Sequence, residues 1–289
     1  MPRISYVNGV YVQHSKARVH IEDRGYQFAD GIYEAFGVVN GEYWDLAGHL
    51  ARMERSLKEL QMGAPLPRTA LRVVMNEILR RNCLKNALVY IQVTRGVAPR
   101  NHFFPSKDVN PALIITAKPF DFNQSDIKAM KGISVISQPD IRWGRVDIKT
   151  VGLLPNVLAR QAASEVGATE AMLVRDGVVT ECSASNAWIV DKTGALITHP
   201  KGPKILGGIT RETTIACALE LQIKVVERPF TVAEAKSASE AFLTSATSFV
   251  MPIVSIDGSK IGDGLPGRIA IRLREAYKKK ARNLIKTNE

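Results

Sequence analysis

Lys149 stands in the run Arg142-Trp-Gly-Arg-Val-Asp-Ile-Lys149-Thr-Val-Gly-Leu-Leu-Pro-Asn-Val-Leu-Ala-Arg-Gln161, where a short extended stretch gives way to a loop and then to a helix. Such a junction holds a side chain more firmly than a surface loop does. A lysine placed there can be desolvated, give up its proton and form a Schiff base with an aldehyde. Most lysines are solvated surface groups, so the run by itself leaves that chemistry open. Three further segments carry reactive or ligand-binding types. In Val179-Thr-Glu-Cys-Ser-Ala-Ser-Asn186 a carboxylate, Glu181, ends a strand just before small polar residues. In Ile205-Leu-Gly-Gly-Ile-Thr-Arg211, Thr210 can cap a helix whose unpaired amide groups suit an anion. In Thr94-Arg-Gly-Val-Ala-Pro-Arg100-Asn-His102-Phe-Phe-Pro105, Arg100 can grip a carboxylate through two parallel hydrogen bonds and His102 can add a donor. Each has a plain alternative: a surface carboxylate, an ordinary cap, a solvated loop arginine.

The elements that must position these groups are legible as alternation and helical spacing. Ile4 to Tyr6 and Val10 to Val12 flank an Asn8-Gly9 turn, and Ile32 to Val38 and Glu42 to Trp44 flank Asn40-Gly41, two short hairpins. Residues 49–60 and 69–80 space their apolar residues as helices, and 87–94 and 112–117 return to strands. The polar stretch 121–131 predicts a linker between a smaller domain over 1–120 and a larger one over 132–289 that carries Lys149. Beyond it come a strand at 133–137, a proline-opened helix at 155–166 and a hairpin around Asp176-Gly177. A second pair follows around Lys192-Thr193-Gly194, then a helix from Arg211 to Leu221 and strands at 224–229, 240–244 and 254–256. The fold class is α/β, mixed and hairpin-rich, in two domains. No Gly-x-Gly-x-x-Gly loop follows a strand, which disfavours a dinucleotide-binding fold.

Composition narrows the function classes. With 289 residues the chain can bury a core in each of two domains without disulfides or metals. Its three cysteines, Cys83, Cys182 and Cys217, lie far apart without metal-ligand spacing, so no metal site is expected and a reducing, cytoplasmic setting is. The first residues lack an apolar signal region, and no stretch approaches the roughly 20 apolar residues of a membrane span. The net charge of +11 attracts polyanions in general, but its densest part is the tail from Arg268 to Lys286. There the basic residues alternate with Ile269, Leu273 and Tyr277 at helical spacing, which reads as an amphipathic helix with a solvated basic face. No aromatic platform interleaves the charges, so neither nucleic acid nor membrane is expected as a partner.

Taken together, Asp23-Arg-Gly-Tyr-Gln-Phe-Ala-Asp-Gly-Ile-Tyr-Glu34, the Lys149 run and the segments at 179–186 and 205–211 resemble class IV aminotransferases. These are the pyridoxal 5'-phosphate enzymes of the branched-chain and D-amino-acid aminotransferase superfamily, fold type IV, and the likeness covers essentially the whole chain. It implies that Lys149 carries the cofactor and moves the proton between substrate Cα and cofactor, and that Glu181 partners the pyridine nitrogen. It implies Arg52 and the backbone of Ile209 and Thr210 as phosphate ligands, Leu206 as the apolar contact to the ring, and Tyr33 beside the cofactor and substrate. In Thr244-Ser-Ala-Thr-Ser248 the chain has Ala246 where such enzymes commonly have a phosphate-binding threonine, leaving Ser245 or Thr247 to compensate. The Arg100-x-His102 pattern resembles the site for the substrate α-carboxylate in D-amino-acid aminotransferases. The resemblance therefore implies a homodimer that transfers an amino group from a D-amino acid to an α-ketoacid such as 2-oxoglutarate or pyruvate. Branched-chain L-amino-acid transamination is the alternative, and aminodeoxychorismate lyase a more distant one.

Overall fold

The computed structural model describes residues 3–286, with side chains through residue 280. It separates into two compact units: the residues up to Asp121 together with Ile148–Gly152, and Phe122–Asp147 together with the chain from Leu153 onward.

The first unit contains β1 (Ile4–Val7), β2 (Val10–Gln13), α1 (Arg24–Phe28), β3 (Gly31–Val39), β4 (Glu42–Tyr43), α2 (Leu46–Glu59), α3 (Arg68–Arg81), β5 (Ala87–Thr94) and β6 (Ala112–Pro119). Its strands form one antiparallel sheet in the order β2-β1-β6-β5-β3-β4. Along β5 alternate residues Val89, Ile91 and Val93 are fully buried, the pattern of a sheet with one face in the core. That core is closed by α2 and α3, whose Leu50, Met53, Leu57, Leu71, Met75 and Ile78 recur every three or four residues. Residues 148–152 join this unit by pairing with β3.

The second unit contains α4 (Phe122–Lys131), β7 (Ile133–Pro139), α5 (Leu154–Glu165), β8 (Glu170–Arg175), β9 (Val178–Cys182), β10 (Asn186–Val190), β11 (Leu196–Thr198), α6 (Ile209–Glu220), β12 (Val225–Glu227), α7 (Val232–Ser237), β13 (Glu240–Ser245), β14 (Phe249–Ile256), β15 (Ser259–Lys260) and α8 (Arg268–Lys286). The strands run β12-β11-β10-β13-β14-β7-β8-β9, with β15 added on β14. The sheet is mixed: β11–β12, β14–β7 and β7–β8 are parallel, the other pairs antiparallel. Strand β10 is buried at every position, as expected for a strand covered on both faces.

Three expectations change. The stretch expected as a linker is largely helix α4, because Ser125 and Ala129 bury one side of it. The segment bearing Lys149, assigned by sequence to the larger domain, groups with the smaller unit through its pairing with β3. The basic face of α8 is not simply solvated. Arg274 is buried, donating to Asp126 and to the carbonyls of Ser248 and Val250, and Lys278 also pairs with Asp126. Arg282 and Lys286, part of that expected face, have side chains outside the described residues.

The start of α8 depends on one carboxylate. Glu240 accepts from the backbone N–H groups of both Ile269 and Ala270 at 2.9 Å. A Cβ at Gly267 would lie 2.0 Å from the Glu240 carboxyl carbon, so only glycine admits this cap. Glu240→Ala leaves two first-turn donors without it and should cost about 1–2 kcal/mol. A lowered urea midpoint with unchanged slope is the expected reading; an unchanged midpoint would refute the cap.

Candidate active site

In the first unit Lys149 is held by its backbone. Tyr33 N–H donates to the Lys149 carbonyl at 3.0 Å and Val151 N–H to the Gly31 carbonyl at 3.1 Å, so the lysine segment adds to β3 as a short antiparallel ladder. This continues the sheet where β4 does not reach, since β4 covers only Val38 and Val39. The half-buried Lys149 Nζ lies 4.2 Å from the centroid of the Tyr33 ring, which in turn stacks on Tyr90 at 5.6 Å. The extended junction predicted for Lys149 is thus a bridge on a neighbouring strand, and it brings Lys149 and Tyr33 together.

Arg52, on the buried face of α2, makes a two-pronged contact with Glu34: Nε to Oε1 at 2.8 Å and Nη2 to Oε2 at 2.7 Å. His49 Nδ1 shares Oε2 at 2.8 Å. Burial by itself would raise the Glu34 carboxyl, but the Arg52 charge and the hydrogen bonds from Arg52 and His49 outweigh it and hold Glu34 at about 2. Burial lowers His49. Arg52 is therefore a fixed, inward cation rather than a helix-surface arginine.

Arg100 and His102 lie in the exposed loop between β5 and β6. Both rest against Phe28, the Arg100 guanidinium at 4.7 Å from the ring centroid and the His102 ring at 5.5 Å.

In the second unit Glu181 is the last residue but one of β9, at the strand end the sequence indicates, and is 5% exposed. Arg142 Nη1 donates to Oε1, while Asn186 Nδ2 at 2.9 Å and the Leu206 N–H at 3.1 Å donate to Oε2. Arg142 is itself held by both oxygens of Asp140 at 2.8 Å. Burial opposes ionisation of Asp140, but Arg142 and the Thr180 hydroxyl hold it at about 2. Arg142 is shifted upward, since Asp140 and Glu181 outweigh its burial.

Helix α6 begins two residues earlier than expected, with Gly208 rather than Thr210 as its cap and no side-chain cap hydrogen bond. The reason is steric: a Cβ at 208 would lie 2.0 Å from Asn186 Oδ1, so glycine there lets the helix start against Asn186. Thr210 is buried in the first turn, with its carbonyl accepting from the Thr214 hydroxyl at 2.7 Å, and Ile209 and Leu206 are half-buried. Glu181, Asn186, Leu206 and the α6 N-terminus thus form one cluster. Ser245, the last residue of β13, and Thr247 flank Ala246 at the turn into β14, where the Ser245 hydroxyl accepts from the Ser248 N–H at 3.1 Å. Thr244, just before them, is opposite Asn186 in the β10–β13 ladder.

Sequence reasoning missed Glu34, Asp140, Arg142 and Asn186. Arg142 heads the same run as Lys149, and Asp140-x-Arg142 has the spacing of two side chains on one face of an extended segment. Asn186 gave no such signal, because the bend at Ser183–Ser185 that returns it to Glu181 has no periodicity.

The family model for amino-transferase class IV matches residues 31–256. The chain belongs to the class IV aminotransferases. It is 39% identical over 274 residues to a D-alanine aminotransferase of Staphylococcus haemolyticus, covering 95% of this chain and 96% of that one. To a D-alanine aminotransferase of Listeria monocytogenes it is 39% identical over 272 residues, 94% and 93% of the two chains. Among solved class IV relatives, the branched-chain aminotransferase of Thermoproteus uzoniensis with norvaline superposes with a TM-score of 0.85 at 26% identity, covering 97% and 95%. That of Thermobaculum terrenum in its pyridoxal-phosphate form gives 0.81 at 25%, covering 97% and 94%.

The buried acids make a pH prediction. Glu34 and Asp140 are held at about 2, below their ordinary values of 4.5 and 3.8. Their stabilisation is fully present above those ordinary values and is lost as pH falls through about 2. Urea midpoints should therefore drop steeply between pH 4.5 and 2. Glu34→Gln should lower the midpoint at pH 7 and flatten that acid limb; an acid limb as steep as wild type would contradict the assignment to Glu34.

Proposed function

We propose that this class IV enzyme is a pyridoxal 5'-phosphate-dependent D-amino-acid aminotransferase, passing the amino group of a D-amino acid to an α-ketoacid. The observation that carries the reading is the full-length 39% identity to D-alanine aminotransferases, against 26% to the T. uzoniensis branched-chain enzyme.

The residues fit the cofactor chemically. The uncapped start of α6, with the amides of Ile209 and Thr210, is an anion site of the kind phosphate takes. Arg52 supplies a fixed positive charge for the phosphate, and Ser245 and Thr247 offer hydroxyls from the turn around Ala246. Glu181, oriented by three donors, provides the carboxylate for a protonated pyridine nitrogen, and the half-buried Leu206 offers an apolar face for the ring. Bound there, the cofactor supplies an electron sink for the pair left when the Cα proton is removed.

Lys149 Nζ would hold the cofactor and, as a free amine, would move the proton from substrate Cα. Its backbone ladder on β3 keeps Nζ beside Tyr33 when the side chain is released. Tyr33 borders the reacting amine and contributes to substrate binding. Arg100 and His102 bind the α-carboxylate, and the placement of that group decides which Cα hydrogen meets Lys149. No helix among the described residues is long and apolar enough to cross a membrane. A cytoplasmic homodimer is part of the proposal. Light scattering on fully active enzyme should give twice the chain mass; a monomeric mass would remove that part.

Borohydride reduction of the purified enzyme and peptide mapping should locate the pyridoxyl label on Lys149, and Lys149→Ala should lower transamination by about a thousandfold or more. A label on another lysine would overturn the assignment. Glu181→Gln should slow the single-turnover half-reaction by at least about tenfold while the fold is retained; an unchanged rate would reject its role. Substrate class is read by assaying D-alanine, D-glutamate, L-leucine and L-glutamate with 2-oxoglutarate or pyruvate, and resolving product configuration chirally. Preference for L-leucine over every D-substrate would favour the branched-chain reading instead.

A further inference from the structure

The loop that carries Arg100 and His102 runs from residue 95 to 111, longer than the roughly 12–15 residues at which a connection without secondary structure is ordinarily functional or disordered. Residues 100–104 are exposed, so packing of their own side chains into the core does not fix them. The structure shows what does.

The root of the loop is pinned by backbone pairing with the segment just before α1. Arg24 N–H donates to the Gly96 carbonyl at 2.9 Å, Ala98 N–H to the Glu22 carbonyl at 3.4 Å, and Asp23 bridges Val97. Close approach is possible because residue 25 is glycine: a Cβ there would lie 2.3 Å from the Thr94 methyl. Beyond Pro99 that backbone pairing ends, and two buried arginines take over. Arg24, 4% exposed, donates through Nη1 to the Asn101 carbonyl at 2.6 Å. Arg95 lies with its guanidinium 3.8 Å from the centroid of Phe104.

Both arginines are set by one carboxylate. Asp30 accepts from Arg24 Nε at 2.9 Å and from Arg95 Nε and Nη2 at 2.7 and 3.0 Å, and Arg95 also caps the Leu60 carbonyl at 2.8 Å. Phe28, at the end of α1, completes the support. Its ring lies 4.7 Å from the guanidinium carbons of both Arg24 and Arg100 and contacts the His102 ring. Asn101, whose carbonyl Arg24 holds, is the residue between Arg100 and His102. One buried guanidinium thus fixes the peptide that spaces the two groups, and one aromatic ring touches both.

We propose that Arg24 is a positioning residue for substrate recognition: with Phe28 it fixes the Arg100-Asn101-His102 peptide in the conformation that presents both side chains to the α-carboxylate. The proposal rests on the reading of Arg100 and His102 given above. Arg24 touches no reacting atom in this scheme, and its effect passes through Arg100 and His102.

The test uses the holoenzyme and the half-reaction with D-alanine, followed by the cofactor absorbance in stopped flow to give an apparent Kd and a limiting rate. Arg24→Met should weaken D-alanine about tenfold, the scale of a lost charge-assisted hydrogen bond, with cofactor content and its absorbance band unchanged. Arg24→Lys, which keeps one donor, should recover part of the loss. Amide exchange of residues 99–104 should quicken in Arg24→Met. In an Arg100→Met background, adding Arg24→Met should change Kd by less than about twofold, because the principal carboxylate donor it positions is gone and only His102 is left. If Arg24→Met yields no holoenzyme, Phe28→Leu serves in the same comparison, with an expected loss of about threefold that vanishes in the Arg100→Met background. An unchanged Kd in both Arg24→Met and Phe28→Leu, or losses that multiply fully with that of Arg100→Met, would overturn the positioning role while leaving the carboxylate reading intact. An unchanged Kd in Arg100→Met would overturn the carboxylate reading itself, and the positioning role with it.

Discussion

The constraint on which the site depends is the pairing of residues 149–151 with the edge of β3. Two main-chain hydrogen bonds fix the Cα of Lys149 against a strand that is paired along its other edge to β5. In the role proposed for Lys149, a side chain that is first bound and then acts as a free base needs an anchor that survives its release, and a backbone ladder is such an anchor. The neighbouring residues on β3 then acquire roles from strand alternation alone. Tyr33 lies against Lys149, and Glu34, pointing to the opposite face, enters the core and binds Arg52.

Carboxylates joined to buried arginine recur through both units: buried Glu34 with Arg52, half-buried Asp30 with Arg24 and Arg95, buried Asp140 and Glu181 with Arg142, and partly exposed Asp126 with Arg274. Such pairs add little net stability over a well-packed apolar replacement, since desolvation offsets much of the attraction. What they provide is orientation: a guanidinium held by two oxygens has one plane and one set of remaining donors.

The legible part of the fold was the part governed by local periodicity. Strands 87–94 and 112–117 and the two helices of the first unit could be read within a residue or a few, because their apolar spacing is regular and their ends carry turn residues. Helix α4 looks like a linker in sequence because its buried residues are Ser125 and Ala129, and small buried residues look polar or neutral there. Short α7 was missed although Thr231 and Glu234 form a reciprocal capping box, since six residues carry too little periodicity. The start of β14 was missed because Pro252 argues against a strand interior. At the candidate site, types that the proposed chemistry demands, Lys149 and Glu181, stood out through the family pattern. Their supports did not: Asp140 and Asn186 act only through contacts made by the folded chain, and a two-residue spacing such as Asp140-x-Arg142 is too common to single them out.

The same excursion that places Lys149 has a consequence for how the molecule is made. The chain leaves the first unit after Asp121, enters the second, returns for Ile148–Gly152 and leaves again. As the polypeptide emerges from the ribosome, the first 121 residues can assemble their sheet, but the Gly31–Tyr33 edge of β3 must wait for residues 148–152 to arrive. Until then it presents unpaired main-chain groups, the kind of edge that invites wrong partners. The last piece to complete the smaller unit is the one bearing Lys149, so that unit cannot finish folding before the lysine is in place on β3.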